Sequence, residues 1–157
     1  MVHAFNNYVE HSNIDLIAYR HYQMRFQSQL FDVLVDSYDR NFYFALECKS
    51  INPYTVPNLY FKKAFSWQKG VCQVVRETHW LNLSGRRGYL VVELRRPRPS
   101  KTACYFVPWV QVEDSFYNDL PCVYSDVILS CPSIEKAQGK YTIDEDFVAE
   151  LIKGADN

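Results

Sequence analysis

Residues 29–50 read QLFDVLVDSYDRNFYFALECKS, and this stretch decides the fold. Apolar and polar side chains alternate over residues 30–36 and again over 42–49, which is the period of β-strands buried on one face. The residues between them, 37–41, have the composition of a turn. We therefore predict a β-hairpin whose second strand presents Phe42, Phe44, Leu46 and Cys48 on one face.

The length of the turn fixes the register of this hairpin. A four-residue loop over 38–41 sets Asp32 opposite Glu47, and facing residues share a sheet face with Cβ atoms about 5 Å apart. Lys49 lies two residues after Glu47 and projects from the same face. We expect these three side chains at one end of the hairpin. Asp36 lies about 13 Å away, and we expect it to be a solvated turn residue.

Two carboxylates and an ammonium group predict a site for a hard cation. Mg²⁺ binds one or two carboxylates, waters and a substrate phosphate, and it polarises phosphoryl oxygens and activates water. The predicted metal ligands are Asp32, Glu47 and the carbonyl of Cys48, and Lys49 is predicted to hold the attacking water or stabilise developing charge. The alternative is a surface ion pair between Lys49 and the acids.

The remaining elements predict an α/β (mixed α+β) fold with a central mixed sheet flanked by helices. We divide the chain into a core at 1–110 and an acidic C-terminal extension at 111–157, packed on the same domain. Besides the hairpin we predict a helix at 4–14, a strand at 17–20, a loop at 51–59, a helix capped by Ser66 and ending before Gly85, strands at 89–94 and 103–107, and a helix at 142–152 capped by Thr142.

Composition narrows the class of protein. A chain of 157 residues, 48% apolar and 22% charged, has the size and composition of one globular domain. It has no apolar stretch near the ~20 residues of a membrane span and no secretory signal pattern. Its five cysteines form no close pair, which favours reduced thiols and a cytoplasmic protein. No glycine-rich nucleotide motif is present, so we expect no nucleotide cofactor. Because the apolar stretches are short, we also expect no membrane partner.

The charge is divided along the chain. Residues 1–110 hold 14 Lys and Arg against 8 Asp and Glu, whereas residues 111–157 hold 3 against 10. A basic region of this kind favours a polyanionic partner, because Lys and Arg contacts to phosphate supply sequence-independent affinity. The alternative is that the two regions neutralise each other within a monomer.

The segments 29–36 and 43–50 resemble the D…E-x-K signature of the PD-(D/E)XK nuclease superfamily, and they are most similar to archaeal Holliday junction resolvases. The resemblance covers about residues 4–110 and implies a restriction-endonuclease-like αβββαβ core. It implies that Asp32 and Glu47 bind Mg²⁺ (or Mn²⁺) and that Lys49 assists the nucleophile. The family's first helix supplies a catalytic glutamate, for which Glu10 is the candidate and Asn6 the alternative.

The same resemblance implies DNA as the partner and a metal-dependent endonuclease, structure-selective and resolvase-like, as the function. The alternatives are a module that binds DNA or protein without cutting, and a restriction-type enzyme acting on ordinary duplex. A homodimer is expected, sharing either Phe61, Phe65 and Trp67 or residues 111–157. Gln68 and Gln73 resemble accessory polar residues of the superfamily, with a solvated helix face as the alternative for both. The predicted DNA contacts are Arg20, Arg25, Lys62, Lys63, Gln68, Arg86, Arg87, Arg95, Arg96 and Arg98.

Overall fold

Helices and short strands surround one large sheet in the computed structural model, which describes residues 1–21, 30–95 and 102–154. A 3-10 turn at Arg40–Phe42 joins the two strands of the hairpin. In chain order the elements are α1 (Val2–Val9), β1 (Leu16–Arg20), β2 (Val33–Ser37), β3 (Phe44–Ile51), β4 (Leu59–Tyr60), α2 (Phe61–Ala64), β5 (Trp67–Gln68), β6 (Val71–Cys72), α3 (Gln73–Ser84), β7 (Arg87–Leu94), β8 (Ala103–Pro108), α4 (Trp109–Tyr117), β9 (Cys122–Val123), α5 (Ser125–Leu129), β10 (Ser133–Ala137), β11 (Lys140–Tyr141) and α6 (Glu145–Gly154).

The large sheet has seven strands in the order β1-β2-β3-β7-β8-β10-β11. Strands β3 and β7 are parallel, and the other neighbours are antiparallel. A parallel pair needs a crossover connection, and α3 supplies it here. The predicted mixed sheet flanked by helices is confirmed. The αβββαβ order is present as α1, β1, β2, β3, α3 and β7, with β4, α2, β5 and β6 inserted before α3.

Each face of the sheet is covered by a separate hydrophobic core. On the first face, Phe5 of α1 and Phe147 of α6 pack with Phe44 and Leu46 of β3. On the second face, the alternate residue Ala45 packs with side chains of α3 and α4. The alternation along β3 therefore determines which core each residue joins, as the period of two predicted.

The segment after residue 110 is part of both layers. The boundary drawn at 110 falls inside α4. Trp109 and Val112, on either side of that boundary, are buried in the same core on the second face. Strand β10 pairs with β8, and Phe147 and Leu151 of α6 complete the core on the first face. The acidic segment thus supplies the last two strands of the sheet, β10 and β11, and helices of the fold. In the described ranges, no helix is long and apolar enough to cross a membrane.

Several predicted helix ends were wrong, and backbone geometry explains the largest difference. The helix expected from Ser66 begins at Gln73, because residues 67–72 form the β5–β6 hairpin. Its turn residues Lys69 and Gly70 have φ of 50° and 79°, as a tight two-residue hairpin turn requires. Gly85 ends α3 with φ 67°, as predicted.

The first and last helices are shorter at one end than the sequence indicated. The helix expected over 4–14 is α1, which ends at Val9. The helix expected to be capped by Thr142 begins at Glu145, because the carboxylate of Asp144 accepts a hydrogen bond from the Phe147 N–H at 2.8 Å. Asp is as good a cap as Thr, so composition alone does not decide between neighbouring cap residues.

Candidate active site

The hairpin has the register that the turn length predicted. Val33 faces Leu46 and Val35 faces Phe44, so the pairing continues to Asp32 and Glu47. The Asp32 N–H donates to the carbonyl of Leu46 at 2.9 Å, and the Cys48 N–H donates to Asp32 Oδ2 at 2.8 Å. Backbone hydrogen bonds of β3 therefore fix the Asp32 carboxylate directly beside the Glu47–Cys48 peptide.

Glu47 and Lys49 form an ion pair on the second face of the sheet. Glu47 is only 4% exposed, and its Oε1 also accepts a hydrogen bond from Gln73 Nε2 at 2.9 Å. The Lys49 ammonium lies 5.1 Å from the centre of the Phe65 ring. The structure thus brings Asp32, Glu47, Lys49 and Gln73 together at one end of the hairpin. Gln73 is buried there, so the alternative of a solvated helix face is wrong for this residue.

A third carboxyl group, on Glu77, belongs to this cluster and was missed by the sequence analysis. Gln73 Nε2 donates to Glu77 Oε1 at 2.8 Å, so one amide group bridges two glutamates. Glu77 is fully buried, and its Oε2 has no hydrogen-bond partner in the described part of the chain. The available signal was the spacing Gln73-x-x-x-Glu77, which places both side chains on one face of a helix.

Glu77 also holds the backbone immediately before Asp32. The Phe31 N–H donates to Glu77 Oε1 at 3.1 Å. Phe31 has φ 57°, a conformation that is unusual for a bulky residue and is retained only where the surroundings enforce it. Its ring packs between Trp80 and Trp109, at centroid distances of 5.4 and 5.2 Å. The chain therefore turns sharply just before Asp32, where contacts with α3 and α4 hold the backbone and ring of Phe31.

Burial and crowding shift the titration of two of these carboxyl groups. Burial, together with the nearby Glu47 carboxylate, raises the pKa of Glu77 to about 8. Burial also raises the pKa of Glu47, which Lys49 lowers and the charge of Asp32 raises. Three carboxyl groups thus share one ammonium group. A bound cation would offset this excess of negative charge.

The donor chemistry fits a hard divalent cation. Asp32 and Glu47 offer carboxylate oxygens, and Mg²⁺ needs only one or two of these in addition to waters and a phosphate. Within residues 1–21, 30–95 and 102–154, no three His, Cys, Asp or Glu side chains are grouped to hold a metal by themselves. Substrate and water oxygens would therefore have to complete the coordination sphere.

Cys48 contributes backbone rather than sulfur chemistry to the site. Its N–H is bound to Asp32, and its side chain packs against the core on the first face. Burial raises the pKa of the Cys48 thiol to about 12, so the sulfur stays protonated and is a poor ligand. Coordination through the Cys48 carbonyl stays a prediction.

The first helix, α1, does not place the expected glutamate beside Asp32. Glu10 is exposed at the C-terminal end of α1, whereas the residues of α1 and its start that line the cleft beside Asp32 are Met1, Val2 and His3. The Asn6 side chain forms two hydrogen bonds with the backbone of Ala18, at 3.0 and 2.8 Å, and so attaches α1 to β1. Neither Glu10 nor Asn6 lines the cleft.

A cleft of about 1120 Å³ adjoins the cluster. Asp32, Lys49 and Ser50 lie along one side of it, and Arg20 of β1 and His3 of α1 lie along others. Among the predicted DNA contacts that the structure describes, Arg20 lines this cleft. Lys62, Lys63 and Gln68 are exposed on α2 and β5.

Arg86 is a correction to the predicted DNA contacts. Its guanidinium forms an ion pair with Asp36, donates to the carbonyls of Val35 and Phe44 at 3.1 and 3.3 Å, and lies 3.8 Å from the centre of the Tyr43 ring. Because these contacts enclose the side chain, Arg86 supports the fold. Asp36, expected to be solvated, is its partner.

The other predicted arginine contacts differ in accessibility. Arg87 is partly buried and donates to the carbonyl of Ile152 at 3.4 Å. Arg95 is exposed, with Glu93 at 3.5 Å. Arg25, Arg96 and Arg98 lie outside the described residues.

Comparisons with known proteins give a likeness of fold. No model of a known protein family matches the chain, and no curated protein matches it. The structure is similar to that of Hjc, a Holliday junction resolvase from the archaeal hyperthermophile Archaeoglobus fulgidus, with a TM-score of 0.43 and 15% sequence identity. The match covers 96% of this chain and 95% of that one. Archaeal Holliday junction resolvases are also the proteins that the sequence analysis named as a resemblance.

Proposed function

We propose that this protein is a metal-dependent DNA endonuclease that hydrolyses phosphodiester bonds with Mg²⁺ or Mn²⁺. The observation that carries the proposal is the convergence of Asp32, Glu47 and Lys49 at one end of the β2–β3 hairpin, beside an open cleft. Two carboxylates next to an ammonium group are the residue types that metal-assisted phosphoryl chemistry needs.

Each residue of the cluster has a separate task in this proposal. Asp32 and Glu47 would hold the metal, which when bound polarises a phosphoryl oxygen and lowers the pKa of water. Lys49 binds the attacking water or the developing negative charge on the phosphate. Gln73 orients Glu47 through its 2.9 Å hydrogen bond, and Glu77 supports both Gln73 and the turn into Asp32.

The cleft is suited to a phosphate backbone. Arg20 and Lys49 bring positive charge to it next to Asp32, and exposed Lys62, Lys63 and Arg95 lie on α2 and after β7. Lys and Arg in such places position a nucleic acid without reading its bases. Selection of substrate by shape, rather than by sequence, is therefore part of the proposal, and a four-way junction is its proposed form.

The test is incubation of the protein with a labelled four-way junction and with a linear duplex of the same sequence. Each is assayed with Mg²⁺, with Mn²⁺ and with EDTA. We expect metal-dependent cleavage of the junction and little cleavage of the duplex. Equal cleavage of the duplex would indicate a restriction-type enzyme.

A second candidate function is a module that binds DNA or a protein without cutting. The observation in its favour is that Glu10 does not line the cleft, so α1 adds no carboxylate to the cluster. DNA binding with no cleavage of junction or duplex under either metal would establish this function and refute the enzyme.

We also propose a homodimer, since cutting both strands of a two-fold symmetric junction needs two active sites. Of the patch expected to be shared, Phe61 and Phe65 are buried within the chain, and Trp67 is half exposed. Exposed Tyr117 and Tyr124, in the segment after residue 110, remain as candidates. Light scattering tests this: a mass near 18.5 kDa would refute the dimer, and about twice that mass is expected.

A further inference from the structure

The β5–β6 hairpin projects a small surface next to the catalytic cluster. Trp67 pairs with Cys72 and Gln68 with Val71, leaving Lys69 and Gly70 as the turn. The two-residue turn holds both strands at a fixed angle, because its backbone twist matches that of the strands. Isolated two-stranded hairpins are marginally stable in water, so this one needs support from elsewhere.

The first turn of α3 supplies that support. The Gln73 N–H donates to the carbonyl of Ser66 at 2.8 Å, and Gln73 Oε1 accepts from the Ser66 N–H at 3.1 Å. Arg76 donates to Ser66 Oγ and to the carbonyl of Val71, at 3.0 and 3.3 Å. Gln73 is also the residue that orients Glu47. The hairpin and the carboxylates are therefore attached to the same amide side chain.

The hairpin exposes an aromatic ring and a cation together. Trp67 is 50% exposed, and the turn residue Lys69 is exposed beside it in the chain. One ring contact of Trp67, with Phe116 at 6.5 Å, attaches it to α4. Phe61 and Phe65, its neighbours in sequence, are buried. Trp67 is thus the aromatic residue of this group that is available to a ligand.

The sequence on either side of Trp67 is basic, which favours a polyanion as that ligand. The 29 residues from Cys48 to Arg76 contain five basic residues, Lys49, Lys62, Lys63, Lys69 and Arg76, and no Asp or Glu. Exposed aromatic rings in a basic setting bind single-stranded nucleic acid, because every nucleobase has a face that stacks.

We propose that the β5–β6 hairpin binds an unpaired nucleotide of the DNA, with its base stacked on Trp67 and a neighbouring phosphate on Lys69. This deepens and rests on the proposed function, since it takes DNA to be the substrate. Nucleotides in a single strand or at an opened branch point have the exposed bases that stacking needs, whereas bases inside a duplex are stacked on both faces. The hairpin would then select branched DNA next to the cluster that cuts it.

The test measures DNA binding in EDTA, so that cleavage plays no part. We expect Trp67→Ala to weaken binding of single-stranded and branched DNA about tenfold and binding of blunt duplex less than twofold. Trp67→Phe should retain most of the affinity. Lys69→Ala should reduce the slope of log K against log salt for a single strand by about 0.7. Leu83→Ala, which truncates a residue 74% exposed at the far end of α3, is the matched control and should bind normally.

A spectroscopic readout accompanies the binding curves. Stacking should quench the fluorescence of wild-type protein, and the quenching should be lost in Trp67→Phe, in which Trp80 and Trp109 remain. Normal single-strand binding by Trp67→Ala would overturn the proposal. So would a change in mass from dimer to monomer, because Trp67 would then be a subunit contact.

The two proposals fail in different ways. Wild-type protein that binds branched DNA through Trp67 but does not cut it refutes the endonuclease and leaves the hairpin site standing. Protein that cuts while Trp67→Ala binds normally refutes the hairpin site alone. Should Trp67→Ala not fold, the Trp67→Phe quenching and the Lys69→Ala salt slope decide the question.

Discussion

The two ends of the β2–β3 hairpin carry the same residue types in opposite arrangements. At the turn end, one carboxylate, Asp36, meets one guanidinium, Arg86, which also binds two backbone carbonyls and the Tyr43 ring. At the open end, the carboxyl groups of Asp32, Glu47 and Glu77 share the ammonium group of Lys49.

The difference distinguishes charges that stabilise the fold, at the turn end, from charges proposed to take part in a reaction, at the open end. The turn end has matched charges and closes the hairpin. The open end keeps two buried carboxyl groups whose pKa values are raised, those of Glu47 and Glu77, and a left-handed Phe31. Such unfavourable features persist in folded proteins mainly where a ligand or a reaction uses them.

The largest expected effect is on the cleavage rate, at the groups proposed to react at the open end. Asp32→Asn, Glu47→Gln and Lys49→Ala should each slow cleavage at least about 100-fold, because each removes a charge at the site of reaction. Asp36→Asn, the matched carboxylate at the turn end, should cut within about threefold of wild type. Single-turnover cleavage rates measure this, with DNA affinity in EDTA as the control. Full activity of Asp32→Asn would show that the metal site lies elsewhere.

The next effect is on the free energy of unfolding, which substitution at the turn end should lower more than substitution at the open end. Arg86→Ala should lower the free energy of unfolding by about 2–4 kcal/mol, since it removes the ion pair with Asp36 and the hydrogen bonds to the Val35 and Phe44 carbonyls. Lys49→Ala should lower it by less than about 1 kcal/mol, because Glu47, whose pKa burial already raises, can take up a proton and keep its hydrogen bond from Gln73. Urea unfolding followed by tryptophan fluorescence measures both. Equal losses for the two variants would contradict a division between structural and functional ends.

A smaller effect concerns the pH dependence caused by Glu77. Its pKa is about 8 in the folded protein against an ordinary value of 4.5, so the folded chain holds one more proton between these values. Stability in EDTA should therefore fall as the pH rises from 5 to 8 and level off above 8. Glu77→Gln keeps an acceptor oxygen for Phe31 and Gln73 but cannot ionise, so its melting temperature should fall less over this range. Parallel melting profiles of the two proteins would show that Glu77 does not titrate there.

The smallest expected effect is on the salt dependence of DNA binding, which again compares the two ends of the hairpin. Arg20 lines the cleft at the open end, and Arg86 is enclosed at the turn end. Arg20→Ala should reduce the slope of log K against log salt for duplex DNA by about 0.9, the value for one phosphate contact. Arg86→Ala, compared at a temperature where it is folded, should leave the slope unchanged. A reduced slope for Arg86→Ala would return this residue to the DNA contacts.

Local sequence determined the hairpin, its register and the end of α3. Alternation with a period of two decides which residues face which core, and the turn length decides that Asp32 faces Glu47. Gly85 ends a helix for an equally local reason, its freedom to adopt positive φ. These features depend on residues near one another in the chain, which is why the sequence could predict them.

Tertiary structure alone decided which charged residues are buried and what they meet. Glu77 reaches Phe31 across 46 residues of chain, and Arg86 reaches Val35 across 51. The fold likewise left Glu10 outside the cleft and turned residues 67–72 into a hairpin that separates exposed Trp67 from buried Phe65. A helical or strand period tells which residues share a face. Which face packs over the hairpin depends on the joint packing of α3, α4 and the sheet, and no local pattern encodes that.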